Sequence, residues 1–137
     1  MASTSAYAST PRIGSANLTA ALAGTRQTPT GATTLLTAGS VGTVVTRAVI
    51  INSGTGDPSD NVVAFYLHDG TNFFLYYEVD LDEGSAQPTP STSQGARIFD
   101  VPFNDLVLPP SWSLRAGIRV RGSSIDDTTI NVFGGDI

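Results

Sequence analysis

Cysteine is absent from the 137 residues. That excludes disulfides, zinc–thiolate and iron–sulfur sites and thiol nucleophiles, and it leaves the redox compartment unreadable. Lysine is absent too, since the seven basic residues are Arg12, Arg26, Arg47, Arg97, Arg115, Arg119 and Arg121. A lysine Schiff base and a Gly-x-x-x-x-Gly-Lys phosphate loop are thereby ruled out. His68 is the only histidine. A transition-metal site or a serine–histidine–aspartate triad would rest on it alone, and no Gly-x-Ser-x-Gly elbow accompanies it. Charge is scarce as well: 14% of residues are charged, where about 25% is usual for soluble domains. No apolar run approaches the roughly 18 residues of a membrane span. The N-terminus lacks a basic region followed by a continuous apolar one, so a secretory signal is not expected.

Serine, threonine, glycine and alanine take the place of the missing charges. The resulting surface is polar but uncharged, as in proteins that live in assemblies. The length suits one domain with a single core. A net charge of −5 argues against nucleic-acid binding, which runs on phosphate neutralisation. Arginine without lysine suits bidentate contacts at interfaces; codon bias in a GC-rich genome accounts for the same composition.

The patterning is that of strands. Val62–His68 and Phe73–Val79 are β-branched and aromatic runs joined by Asp69-Gly70-Thr71-Asn72, which reads as a β-hairpin. Further strands are expected at 33–37, 43–52, 97–103 and 128–133. Trp112–Val120 shows the cleanest alternation, with Trp112, Leu114, Ala116, Ile118 and Val120 on one face and Ser113, Arg115, Gly117 and Arg119 on the other. In 43–52, Arg47 shares a face with Val45, Val49 and Ile51, so the strand is either buried on both faces or bulged. Residues 17–24 suit a short helix or an extended piece. Residues 85–95 read as a loop. About seven or eight strands and no long helix predict an all-β fold, an antiparallel β-sandwich that is jelly-roll-like, with an immunoglobulin-like sandwich as the rival. The domain is expected at 32–137, preceded by an extended N-terminal arm or linker at 1–31. Such a segment is either a tail without fixed structure or an arm that orders on a neighbouring subunit through Tyr7, Ile13, Leu18 and Leu22.

Within the hairpin, alternation assigns Val63, Phe65, Leu67, Phe73, Leu75 and Tyr77 to the core beside Trp112, Leu114 and Ile118. Tyr66, Phe74 and Tyr76 fall on the opposite face, covered by the arm or a loop, or pressed against a partner. His68 reads as a turn residue. Asp57, Asp60, Asp80, Asp82 and Glu83 are oxygen ligands in principle, but they lack the glycine and spacing of an EF-hand loop. Paired carboxylates for glycoside hydrolysis would need an aromatic-floored cleft that the spacing does not ask for. Neither an enzyme nor a cofactor is expected. The arginine face suits intersubunit salt bridges or a partner such as Asp126-Asp127 better than nucleic acid.

Four blocks carry a family resemblance: Ala38-Gly39-Ser40, Phe65-Tyr66-Leu67-His68-Asp69-Gly70-Thr71-Asn72, Leu106-Val107-Leu108-Pro109-Pro110-Ser111-Trp112-Ser113-Leu114-Arg115-Ala116, and Val132-Phe133-Gly134-Gly135-Asp136. From about residue 32 onward the chain resembles small virion structural proteins of tailed bacteriophages, similar to head decoration (cement) proteins. These are compact β domains, often trimers, that sit on the capsid and clamp neighbours with extended termini; others serve as tail or fibre adaptors. The resemblance implies a capsid decoration protein on the virion surface, assembled in the host cytoplasm. Its implied partners are the major capsid protein and copies of itself, with no membrane or small-molecule ligand. A tail or fibre adaptor, or a carbohydrate-binding receptor-recognition module, is the alternative. The residues expected at the partner interface are Tyr7, Ile13, Leu18, Tyr66, Phe74, Tyr76, Arg115 and Arg119.

Overall fold

The computed structural model describes residues 10–52, 61–81, 97–120 and 128–137. They form ten strands: β1 (Thr10–Leu18), β2 (Ala23–Gly24), β3 (Pro29–Thr30), β4 (Thr33–Thr37), β5 (Thr43–Asn52), β6 (Asn61–His68), β7 (Phe73–Asp80), β8 (Arg97–Leu108), β9 (Ser113–Val120) and β10 (Thr128–Asp136). Eight of them build two four-stranded sheets: sheet A in the order β1-β10-β5-β8 and sheet B in the order β4-β9-β6-β7. Among these eight the first pairs with the last, β4 with β9, β5 with β8, and β6 with β7, all antiparallel. That nesting is one long hairpin wound upon itself. The β10·β5 and β9·β6 pairs join its successive turns. The expected antiparallel sandwich is therefore present, with jelly-roll winding.

Alternation along each strand puts one side-chain set between the sheets. Sheet A contributes Leu18, Val45, Ala48, Ile50, Val101, Phe103, Leu108, Ile130 and Val132; sheet B contributes Leu35, Leu36, Val63, Phe65, Leu114, Ala116 and Ile118. Phe65 and Phe103 meet edge to face across the gap, centroids 5.3 Å apart, the favoured aromatic geometry. Burying chains of this size is worth roughly 1.5–3 kcal/mol each, which dominates the stability of a chain with so little charge.

Register shifts decide which residues reach this core. In β5, Phe133 faces Arg47 but Gly134 faces Val45, so Thr46 is an extra residue; its hydroxyl donates to the Phe133 carbonyl at 3.0 Å. The bulge turns Arg47 outward while Val45 and Ala48 stay inside, which resolves the mixed face of this strand. In β7, Phe65 faces Tyr77 but Tyr66 faces Leu75, leaving Tyr76 as the extra residue. The bulge corrects the expected hairpin faces. Phe74 now lies opposite the inward Leu67, and Phe73 and Leu75 lie opposite His68 and Tyr66 on the outer face. Tyr77, although opposite the buried Phe65, stays exposed because β7 is an edge. In β4 the shift falls at Leu35, so that Leu35 and Leu36 are both buried.

The boundary expected at 31/32 also needs correction, because residues 10–31 belong to the folded body. β1 pairs with β10 along its whole length, from Thr10↔Asp136 to Leu18↔Thr128. The small inward residues Gly14 and Ala16 allow its backbone to approach β4, and a Cβ on Gly14 would stand 1.9 Å from the Leu35 carbonyl oxygen. Residues 17–24 are not helical: Leu18 ends β1 and Ala23–Gly24 is β2. At the far end Arg12 donates to Asp136 at 3.0 Å and to the Thr37 carbonyl at 2.7 Å, and Thr43 donates to Asp136 at 2.7 Å. Arg12 thus ties β1 to β10 and β4.

Replacing Gly14 with alanine places a methyl group against that fixed carbonyl. We expect a loss of about 2–3 kcal/mol, read as a lower urea midpoint with unchanged slope.

Candidate assembly surface

The two outer faces of the sandwich differ. On sheet B the outward residues Val62, Ala64, Tyr66 and His68 are all buried. Part of the cover is the chain between β1 and β4. Ala21 bridges to Ile118, and the Leu22 amide donates to the Ile118 carbonyl at 2.8 Å, beyond the point where β4 stops pairing with β9. The Leu22 side chain occupies the space over Gly117, where an added Cβ would stand 2.4 Å from it. Glycine in this otherwise regular strand is the seat of the strap.

Farther along, the strap is held by a polar cluster. Tyr66 donates its hydroxyl proton to the Arg26 carbonyl at 2.8 Å and accepts from Arg119 at 2.6 Å. Glu78 takes Arg26 at 3.0 Å and lies 3.6 Å from the Arg119 Nε. That Nε is buried and has no hydrogen-bond partner of its own, so Glu78 compensates it through charge alone. Arg119 and Tyr66 therefore serve the strap's attachment and are not exposed contacts.

Nearer the hairpin turn, Arg115 lies over the Phe73 ring at 5.7 Å and donates its Nε to Ser113 at 3.1 Å. His68 packs on the same ring at 4.4 Å and accepts the Gly70 amide on its Nδ1 at 3.2 Å. Burial, and then the nearby Arg115 charge, lower its pKa from the ordinary 6.5, against a smaller upward pull from Asp69. Asp69 accepts the Thr71 and Asn72 amides, which hold its own pKa below 3.8. His68 is thus a neutral turn-end acceptor.

The exposed apolar surface gathers elsewhere. On edge strand β7 the consecutive residues Phe74, Leu75, Tyr76 and Tyr77 are 44%, 37%, 38% and 48% exposed. Phe74 stacks on Trp112 and Tyr76 leans on Phe103, so both rings are held in fixed positions at the β7/β8 flank. Among the described residues sheet A leaves its outer face open, with Ile13, Ile98 and Val107 exposed around the pair of Arg47 with Asp100, at 3.4 Å. Arg47 also lies over Phe133.

Of the expected interface residues, Phe74 and Tyr76 are together on this flank. Ile13 is exposed on β1, the opposite edge of sheet A. Leu18 and Tyr66 must be withdrawn: Leu18 is in the core because β1 is a sheet strand, and Tyr66 lies beneath the strap. Arg119 faces Glu78 inside the molecule, leaving Arg115 as the arginine of that face that is open to a partner. Tyr7, Asp57, Asp60, Asp82, Glu83, Arg121, Asp126 and Asp127 lie outside the described residues, as does the loop expected at 85–95. Sequence reasoning missed Leu75 and Tyr77, which regular alternation sends to the core, and Ile98 and Val107 on β8. Ile98 could have been found, since it alternates with the inward Phe99, Val101 and Phe103, whereas Val107 is turned outward by a register shift between Phe103 and Leu106. Among the described residues no cluster of His, Asp or Glu is arranged to hold a metal ion.

Two outcomes follow. Gly117→Ala is expected to displace Leu22 and speed hydrogen exchange of the Leu22 amide, while amides of β5 and β10 keep their protection. His68 has a lowered folded pKa, so its contribution is complete above pH 6.5 and is lost as pH falls through the folded value. His68→Asn, which retains an acceptor for Gly70, is expected to flatten stability against pH just below 6.5. It should leave the separate loss below about pH 4 that accompanies protonation of Asp69. Compared with protein-family models, curated proteins and solved structures, the chain matches none of them.

Proposed function

We propose that this chain is a virion structural protein, a capsid decoration or cement protein that binds and stabilises a phage head as an oligomeric β domain. The observation that carries this reading is the run Phe74-Leu75-Tyr76-Tyr77, four consecutive large side chains exposed on a sheet edge. An edge strand of this composition, without proline or lysine, is a liability for a free monomer and an asset for a subunit. Fixed aromatic rings lose little entropy on docking, which suits them to interfaces. The jelly-roll winding and the resemblance of the four sequence blocks support the same role. The partners are the major capsid protein and further copies of this chain, at the capsid surface.

Exposed tyrosines also give the alternative its footing, because Tyr76 and Tyr77 offer faces on which a sugar ring could stack. A tail-tip or fibre module would use them so.

Particles stripped of this protein separate the two. Re-addition of the purified chain is expected to restore co-sedimentation and raise the temperature of particle disruption. Leu75→Glu with Tyr77→Glu should abolish both effects without changing the melting temperature of the free chain. Binding that survives this double substitution removes the β7 edge from the interface. Glycan binding that the same substitution abolishes, with no particle binding by the wild type, replaces decoration by receptor recognition.

A further inference from the structure

Arg12, Arg26, Arg47 and Arg119 each stand against a carboxylate. Among the described residues Arg115 does not. It is half-buried on the outer face of sheet B, its guanidinium on the Phe73 ring and its Nε spent on Ser113. The two terminal nitrogens remain as a planar donor pair over an apolar floor. A cation with one face on an aromatic ring and reduced access to water gains most from an anion in the plane of its fork. Among the described residues neighbouring carboxylates do not supply one. Glu78 is engaged by Arg26 and Arg119, and Asp69 is engaged by its own turn.

Register continues the site toward the β7 edge. Arg115 lies over Phe73, and Leu75 follows two residues on along the same outer face of β7. Arg115, Phe73 and Leu75 therefore form one cation-and-apolar strip that ends at the exposed run.

We propose that Arg115 is the socket for a side-chain carboxylate of a second copy of this chain, with Phe73 and Leu75 packing beside it. This deepens the assembly role above and rests on it for the need to self-associate. The second copy is singled out by charge: twelve acidic residues against seven arginines, four of which already face internal carboxylates. A partner copy brings a surplus of the one group this strip lacks.

Light scattering and sedimentation over a range of concentrations read the contact. Arg115→Gln is expected to weaken self-association at least about tenfold, and Arg115→Lys less, since it keeps the charge and loses the fork. Arg47→Gln, on the outer face of the other sheet, should have no effect. Should Arg115→Gln fail to fold, Arg115→Lys together with salt dependence decides: association that is insensitive to both overturns the proposal. His68 supplies a second readout, because a carboxylate on Arg115 offsets the charge that lowers its pKa. Its imidazole titration by NMR should move upward as the protein concentrates. If millimolar acetate at constant ionic strength moves it and protein concentration does not, the socket takes free carboxylates and the second copy is overturned. A chain that stays monomeric yet binds particles overturns the self-contact and leaves the decoration role standing. A chain that associates through Arg115 but never binds particles supports the self-contact and overturns the role.

Discussion

Sheet A is joined through its last strand. β10 lies between β1 and β5, with backbone pairing on both sides, so the first and last described strands are neighbours and β1 cannot join the sheet until β10 is in place. Contacts between residues more than a hundred positions apart, such as Arg12 with Asp136, carry the closure entropy of all the chain between them. Such a topology folds slowly because that entropy is lost before the pairing compensates it. Once formed it is cooperative: loosening β10 releases β1, and with it the strap that continues from β1 onto sheet B. Stability at the strap, at the Gly14 crossing and at the Arg12–Asp136 tie is therefore linked.

The strap explains why the two sheets present different surfaces. Sheet B has large and small residues side by side on its outer face, Tyr66 beside Ala64 and Arg119 beside Gly117, and the chain itself fills the hollow above the small ones. Tyr66 can be buried there because both hydrogen-bonding functions of its hydroxyl are used. Sheet A has no comparable cover among the described residues. Its outer rows carry Ser15 bonded to Asn131 and Thr129 bonded to Asn17 at the β1 side, and become apolar toward β8. A polar ladder that satisfies itself does not need water or a partner, whereas Ile98 and Val107 leave apolar surface open. The chain thus closes one face with its own residues and concentrates its exposed apolar surface near the β7 and β8 edges.

What could be read from the sequence follows from which interactions are local. β9 was legible because each outward residue is polar or glycine and each inward one apolar, with no bulge to disturb the period. The hairpin turn was legible from Asp69 and Gly70, whose chemistry is confined to the turn. The faces of β7 were not legible, since a single extra residue at Tyr76 reverses the assignment of Phe73, Phe74 and Leu75 while leaving every residue type compatible with either side. β1 was hidden for a different reason. Thr10-Pro11-Arg12-Ile13-Gly14-Ser15-Ala16 has the composition of a tail, yet its small residues are those that a close approach to β4 demands. A demand made by a strand twenty residues away leaves no periodic trace.

The two arginines of β9 show the same limit at the level of the site. Arg115 and Arg119 lie on one face in equivalent positions of an alternating strand, and nothing local separates them. The strap separates them. Over the Arg119 end it brings the Arg26 carbonyl down on Tyr66 and draws Glu78 into a shared charge cluster, so this arginine is neutralised from within. Arg115 is left with an aromatic floor and a serine. A chain this poor in charge, with an acidic excess, gains little by leaving a half-buried guanidinium uncompensated. The same position in an assembly, next to Leu75 and the exposed β7 edge, gives that cation a partner and gives the apolar edge an orientation. Apolar surface alone fixes no register between two subunits, whereas a single directional charge pair beside it does.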